Sequence, residues 1–312
     1  MLPADLVSQL RMDAAESVFL ERQLDFIKSQ TYDIKYAELK SRKLIPISSE
    51  ADPGAERIFF RSYDQFGLAK IIHNYADDLP RADVRGEEFS VPVQTLGASY
   101  GYNIKEMRSA VFGNVPLEQR RANAARRSIA QLENQIAFFG DADSGLEGFF
   151  NGANIPMVAL PADGGGTSIL WDDKTPDQII RDLNLVANTV ASQSLGVEIP
   201  DTLLLPLESY NFIASTARSA NSDTTILNYF LQNNPYIKQV EWVNELETAG
   251  AGGLRRMVAY RRDPEVLTME VPQDFEQLEL QTRGLEYIVP CQEYFAGVLL
   301  YYPLAITFGD GF

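Results

Sequence analysis

The sequence predicts an α+β protein, on three observations. Strand-like runs rich in β-branched and aromatic residues stand far apart, near Glu56–Tyr75, Phe89–Thr95 and across the last fifty residues. Two long stretches carry helical apolar spacing, and no internal repeat divides the chain. With 312 residues and 34.9 kDa, the chain can bury roughly 75% of its unfolded surface, so its core needs no disulfide or metal staple.

The first 32 residues show only partial helical spacing, at Val18, Phe19, Arg22 and Phe26, and read as an arm. The run IFFRSYDQFGLAKIIHNY within Glu56–Tyr75 reads as a strand. Residues 76–86, with Pro80, Gly86 and mostly charged side chains, read as an exposed loop tip. Strand texture resumes at Phe89, Val91, Val93 and Thr95, and Pro92 bars a central ladder position because it lacks an amide hydrogen. Together these predict a long two-stranded hairpin. Such a hairpin is marginal alone in water and calls for a partner surface.

A helix is expected over 116–140, opening at Pro116 and stopped by Gly140. Ala125, Ile129, Leu132, Ile136 and Phe139 form its apolar stripe, and Arg120, Asn123, Arg127 and Asn134 fall on the opposite side. A second helix is expected over Thr175–Ser192, with Ile179, Leu183, Val186 and Val190 on one face and a Thr-Pro start. Further on, DTLLLP predicts a short buried strand, LESYNFIAST and TTILNYFLQN predict helices, and YIKQVEWV and RRMVAYRR predict strands around a Gly-rich loop. The segments VLTMEV, FEQLELQTR and LEYIVPCQEYFAGVLLYYPLAITF predict strands returning to a sheet.

Charge narrows the function classes. The net charge of −16 argues against a dedicated nucleic-acid binder, which would need Lys and Arg to neutralise phosphates. Residues 104–133 nevertheless carry a net +3 inside an acidic chain, and segregated charge marks surfaces that face different surroundings. A single cysteine, Cys291, cannot form an internal disulfide and suits synthesis in a reducing cytoplasm. The N-terminus lacks the pattern of a secretory signal, and the most apolar run, Phe295–Phe308, is too short to span a bilayer, so no membrane partner is expected.

Catalytic constellations are sparse. One histidine, His73, cannot build a multi-histidine metal site or a Cys–His pair with further ligands. The triplet Gly164–Gly166 lacks the Lys-Ser/Thr that a phosphate-binding loop needs, and reads as a turn. The acidic pairs Asp77/Asp78, Asp141/Asp143 and Asp172/Asp173 read as solvated loop residues rather than general acid and base groups. No enzyme activity and no cofactor are expected.

The segments GLAKIIHNYADDLPRADVRGEEF (67–89), LGASYGYNIKEMRSA (96–110), NQIAFFGDADSGLEGFFNGANIP (134–156) and the C-terminal YIVPCQEYFAGVLLYYPLAI, together with the order of parts, resemble the Hong Kong-97-type major capsid proteins of tailed bacteriophages. The resemblance implies an N-terminal arm over 1–50, an extended loop and the strands leading into it over 51–103, a peripheral domain over 104–174 built on a spine helix at 116–140, an axial α/β domain over 175–262, and strands over 263–312 returning to the peripheral domain. It implies a shell subunit assembled as hexamers and pentamers of an icosahedral head, located in the virion and made in the host cytoplasm. Portal, scaffolding and decoration proteins would be its partners, and double-stranded DNA would meet it non-specifically. Asp77, Asp78, Arg81, Asp83, Arg85, Glu87 and Glu88 would then make intersubunit contacts, and Arg120 and Arg127 would face DNA. Some relatives cross-link through a lysine of the extended loop; no lysine lies between Lys70 and Lys105, so non-covalent closure is expected. The rival readings are an encapsulin-type compartment shell, which shares the fold, and an acidic carboxylate-dependent hydrolase.

Overall fold

The computed structural model describes residues 36–69, 81–113, 117–219 and 223–312. Leu39–Phe312 forms one compact unit; of the unit before it, Met1–Glu38, residues 36–38 are described and carry no helix or strand. The expected arm helix therefore lies outside the described residues, as do Asp77, Asp78 and His73. The last residues of the expected arm behave differently. Helix α1 (Ser41–Leu44) and strand β1 (Ile47–Ser48) belong to the compact unit, and Leu44 and Ile45 are core residues.

Strands β2 (Arg57–Phe66) and β3 (Asp83–Pro92) pair antiparallel along their full length, from Arg57↔Pro92 to Phe66↔Asp83. The strand thus begins inside the expected loop tip: Asp83 to Gly86 are ladder residues, because cross-strand pairing continues past the charged stretch. Pro92 sits at the strand end, where its missing N–H costs no ladder bond. Strand β4 (Gln94–Asn103) follows, then helix α2 (Ile104–Gly113) and the spine helix α3 (Leu117–Phe139).

Gly140, at φ +70°, ends the spine helix as expected. The chain then doubles back, and the amides of Phe149 and Phe150 donate to the carbonyls of Ala137 and Phe138 at 2.8 Å each, satisfying acceptors that a helix end leaves open. Gly148 permits this crossing, since a Cβ there would strike the backbone of Phe139 and Gly140. Phe150 stacks on Phe138 at 4.6 Å and Phe149 meets the Tyr260 ring edge-on at 4.9 Å.

Past the short strand β5 (Met157–Val158), helix α4 (Pro176–Gln193) starts at a Thr175/Gln178 capping box and buries Ile179, Leu183, Val186 and Val190 as the periodicity requires. Strand β6 (Thr202–Leu205), helices α5 (Leu207–Ser215) and α6 (Ile226–Asn233), and strands β7 (Gln239–Trp242) and β8 (Arg256–Tyr260) occupy the segments read from sequence. The loop between β7 and β8 holds two short 3₁₀ turns and a fully buried Leu246. Strands β9 (Leu267–Glu270), β10 (Gln273–Gln277), β11 (Gln281–Arg283), β12 (Glu286–Phe295), β13 (Val298–Leu300) and β14 (Ile306–Asp310) complete the chain.

The strands form four sheets. One, ordered β5-β14-β8-β6-β7, is covered on both faces. Leu203, Leu205, Met257 and Ala259 point to a core with α4 and α6, whereas Leu204, Val258, Tyr260, Ile306 and Phe308 point to a core with the spine helix. Gly309 lets α4 approach, because a Cβ would lie 2.8 Å from Val186 Cγ2. The last strand, β14, pairs with β8 and β5 and so joins the sheet shared by both cores, apart from the β4-β12 sheet.

A second sheet pairs β12 with β4 over ten residues on one side and with β10 and then β11 on the other. The break between β10 and β11 falls opposite Pro290, which has no N–H to donate; Leu278 donates to its carbonyl instead, at 2.9 Å. The spine helix lies across β4 and β12. A third sheet is β1-β9-β13, and the β2-β3 hairpin is the fourth.

Two buried polar links fix the layers. Tyr260 Oη donates to the Leu44 carbonyl at 2.8 Å, tying α1 to the two-faced sheet. Lys174 Nζ donates to Asp182 at 2.6 Å with both side chains fully buried, and Arg181 bridges Asp182 to Asp163. With Lys174 gone, Arg181 alone would hold the buried Asp182 carboxylate, so Lys174→Met should destabilise the subunit by about 1–3 kcal/mol, and the double variant Lys174→Met, Asp182→Leu should recover most of that loss. Urea midpoints of the wild type and the two variants measure both effects.

Candidate assembly surface

The β2-β3 hairpin is anchored only at its root. Phe60 and Phe89 are direct cross-strand partners and stack at 5.1 Å, and Tyr301 meets the Phe60 ring edge-on, also at 5.1 Å. Ile58 and Val91 share this face and are partly buried. Beyond Ser62 and Glu87 every described hairpin residue is exposed. Grooves of about 370 and 920 Å³ flank the root, the larger between the hairpin and Ile47, Glu265, Glu270 and Tyr302.

The outward face carries Phe59, Tyr63 and Val84, which are 59, 64 and 57% exposed. Tyr63 lies over Gly86, whose missing side chain leaves room for the ring: a Cβ there would sit 3.0 Å from it. Contiguous exposed apolar rings on a two-stranded ribbon mark an interaction surface. Sequence reading concentrated on the charged tip and missed this face. The signal was present in the alternation Phe59, Arg61, Tyr63.

The charged residues have local partners. Arg61 and Glu88 are cross-strand neighbours paired at 2.8 Å, and Arg85 pairs with Glu87 at 3.1 Å. The Glu88 partnership holds the Arg61 guanidinium above its ordinary range. Asp83 Oδ1 accepts its neighbour's amide, from Val84, at 2.8 Å. Arg81, Asp83, Arg85, Glu87 and Glu88 are all exposed.

Along the spine helix the predicted faces hold only in part. Ala125, Ile129 and Ile136 are buried, but Leu132 is 42% exposed and Glu133 and Asn134 are buried instead. On the far side, Arg120 and Asn123 are exposed, Arg127 is half-buried, and Asn134 and Phe138 are buried. The helix runs from solvent into the body, so its last turns are enclosed all round and a single angular count fails there. Asn134 accepts the Ser41 amide at 3.1 Å and donates to Glu245 at 2.6 Å. Arg126, next to Arg127, is exposed and lies 5.6 Å from the Phe275 ring centre.

Catalytic groupings find no geometric support in the loops. Asp143, Asp172 and Asp173 are exposed, and the Gly164–Gly166 turn closes on itself through Gly164 N to Ser168 O and Gly165 N to Asp173 O. Among the described residues no three His, Cys, Asp or Glu side chains converge as a metal site, and no helix is long and apolar enough to cross a membrane.

Several solved structures share the fold. The capsid of Myoviridae phage XM1 matches at TM-score 0.81 and 20% identity, over 95% of this chain and 99% of that one. The capsid of a native GTA particle matches at 0.65 and 13%, over 93% and 96%. A virus-like particle from Pyrococcus furiosus matches at 0.53 and 16%, over 85% and 90%. Among curated protein sequences none matches. The family model for the major capsid protein matches residues 67–312, from the distal hairpin through the spine helix and both cores to the last residue. That span takes in nearly all of the compact unit, and the chain belongs to the major capsid protein family.

Proposed function

We propose that this chain, a structural and non-enzymatic capsid subunit, builds the icosahedral head of a tailed bacteriophage as hexamers and pentamers around double-stranded DNA. The observation that carries the reading is the hairpin: an extended ribbon with an aromatic outer face and, among the described residues, no surface of its own subunit beneath its distal half. Laid on a neighbouring copy, Phe59, Tyr63 and Val84 would lose water-exposed area, while Asp77, Asp78, Arg81, Asp83, Arg85, Glu87 and Glu88 would set register through weak exposed ion pairs. The proposed peripheral and axial domains are supported by the presence of two cores, one with the spine helix and one with α4. Portal, scaffolding and decoration proteins complete the partner set, and synthesis takes place in the host cytoplasm.

Exposed Arg120, with Arg127 on its flank, supplies positive charge toward packaged DNA, while the acidic remainder keeps the duplex from adhering.

Three outcomes are expected. Purified chain should form closed shells in negative-stain images, and Phe59→Ser, Tyr63→Ser should raise the critical assembly concentration about tenfold or more, since each buried ring contributes roughly 1.5–3 kcal/mol. Isolated monomers at all concentrations would overturn the shell reading. Mature particles boiled in detergent should run as single chains on gels, without ladders. An Arg120→Gln, Arg127→Gln variant should package less DNA into shells of unchanged number; normal packaging would remove these residues from the DNA-facing role.

A further inference from the structure

The buried carboxylates of the spine helix face a charge problem that the shell reading does not address. Arg42, on α1, holds Glu133 of the spine helix in a two-pronged contact, with Nε to Oε1 and Nη2 to Oε2 both at 2.8 Å. The same Nη2 donates to Glu293 of β12 at 2.7 Å and to Asp274 of β10 at 3.0 Å. Glu133 and Glu293 keep only 2% of their side-chain surface, whereas Asp274 is 62% exposed. One guanidinium thus serves three carboxyl groups, two of them out of water. If all three were ionised, two like charges would face each other in a medium that screens them poorly.

The surrounding elements supply no second counter-charge. On α1, Lys43 is paired with Glu241 at 2.9 Å, and Lys40 lies over the Trp242 ring and donates to the Trp242 carbonyl. On the spine helix, Arg126 acts on Asp274 and lies near the Phe275 ring, and the next residue, Asn134, is neutral. On β10, Glu276 is held by the side chains of Gln273 and Gln292. Among the described residues the ion pairs of Glu133 and Glu293 both go to Arg42.

We infer that Glu293 keeps a proton beside Glu133 beneath Arg42, and that losing it loosens the seat of helix α1 on the spine helix: a proton-keyed latch at the start of the compact unit. Glu133 Oε2 and Glu293 Oε1 accept from one nitrogen, Arg42 Nη2, at 2.8 and 2.7 Å, so the two buried carboxyls are held side by side, where a proton on one relieves their repulsion. Burial, and then the charge of Glu133, push the Glu293 carboxyl up to about 8. The unfolded chain releases this proton in the ordinary glutamate range, so the folded state binds more protons between there and about pH 8. The stabilising contribution of the Glu293 proton is therefore complete at acid pH, falls as pH rises through neutrality, and is lost above about pH 8. The inference concerns the subunit itself and stands whether or not shells form.

Infrared spectra of the full chain test it directly. At about pH 6 the wild type should show the carbonyl band of a protonated carboxylic acid, which disappears by about pH 9.5 and is absent from Glu293→Gln, an isostere that keeps a donor toward Glu133 without titrating. Amide exchange gives the second readout. Corrected for intrinsic rates, protection across Ser41–Ile45 should fall about tenfold or more over that pH range in the wild type and stay level in Glu293→Gln. The latch is overturned if the wild type lacks the acid band at about pH 6, if Glu293→Gln retains it, or if the variant loses protection with pH as the wild type does.

Discussion

A sheet buried on both faces sets the terms for this fold. Strands β6, β8 and β14 must be apolar at successive positions, and each face needs its own cover: α4 and α6 on one side, the spine helix and its return loop on the other. Every other placement follows. Gly309 is small because α4 must close down on β14, and Phe149 and Phe150 turn inward because they plug the second face while capping the spine helix. The Tyr260 hydroxyl, caught at the bottom of that face, finds its acceptor on α1, which brings that short helix into the core.

The hairpin obeys the opposite constraint. Its root repeats the core's logic, with Phe60, Phe89 and Tyr301 packed ring to ring, but among the described residues its distal half is uncovered on both faces. Local ion pairs such as Arg61–Glu88 hold the strands in register without hiding the aromatic face. The subunit thus presents a pre-shaped ribbon, and burying it on a neighbour, as proposed, would carry a lower ordering cost at the moment of contact.

Much of this was legible in the sequence where one rule acted alone. The α4 face, its Thr-Pro start, the Gly140 stop and the uniformly apolar strand Thr202–Leu205 each follow from local pattern. Errors arose where tertiary enclosure overrode periodicity. Glu133 and Asn134 look like solvent-facing residues on a helical wheel, yet they are buried because α1 and the 244–247 turn close over the last turns of the spine helix. Their partners, Arg42, Glu293 and Glu245, lie about a hundred residues or more away, so no local window could pair them. The hairpin tip was drawn too long for a related reason. Charge and glycine suggested a loop at Asp83–Gly86, but cross-strand partners on Tyr63–Phe66 extend the ladder through it.

Pro290 gives the long sheet a mechanical asymmetry. On one side β12 is tied to β4 by an unbroken ladder; on the other, the chain is released between Gln277 and Gln281. The ladder on that side is interrupted over Leu278, Glu279 and Leu280 and bridged by the Leu278 amide on the Pro290 carbonyl, while the β4 ladder runs unbroken beneath the spine helix. A single proline, by lacking one hydrogen, sets that gap in place.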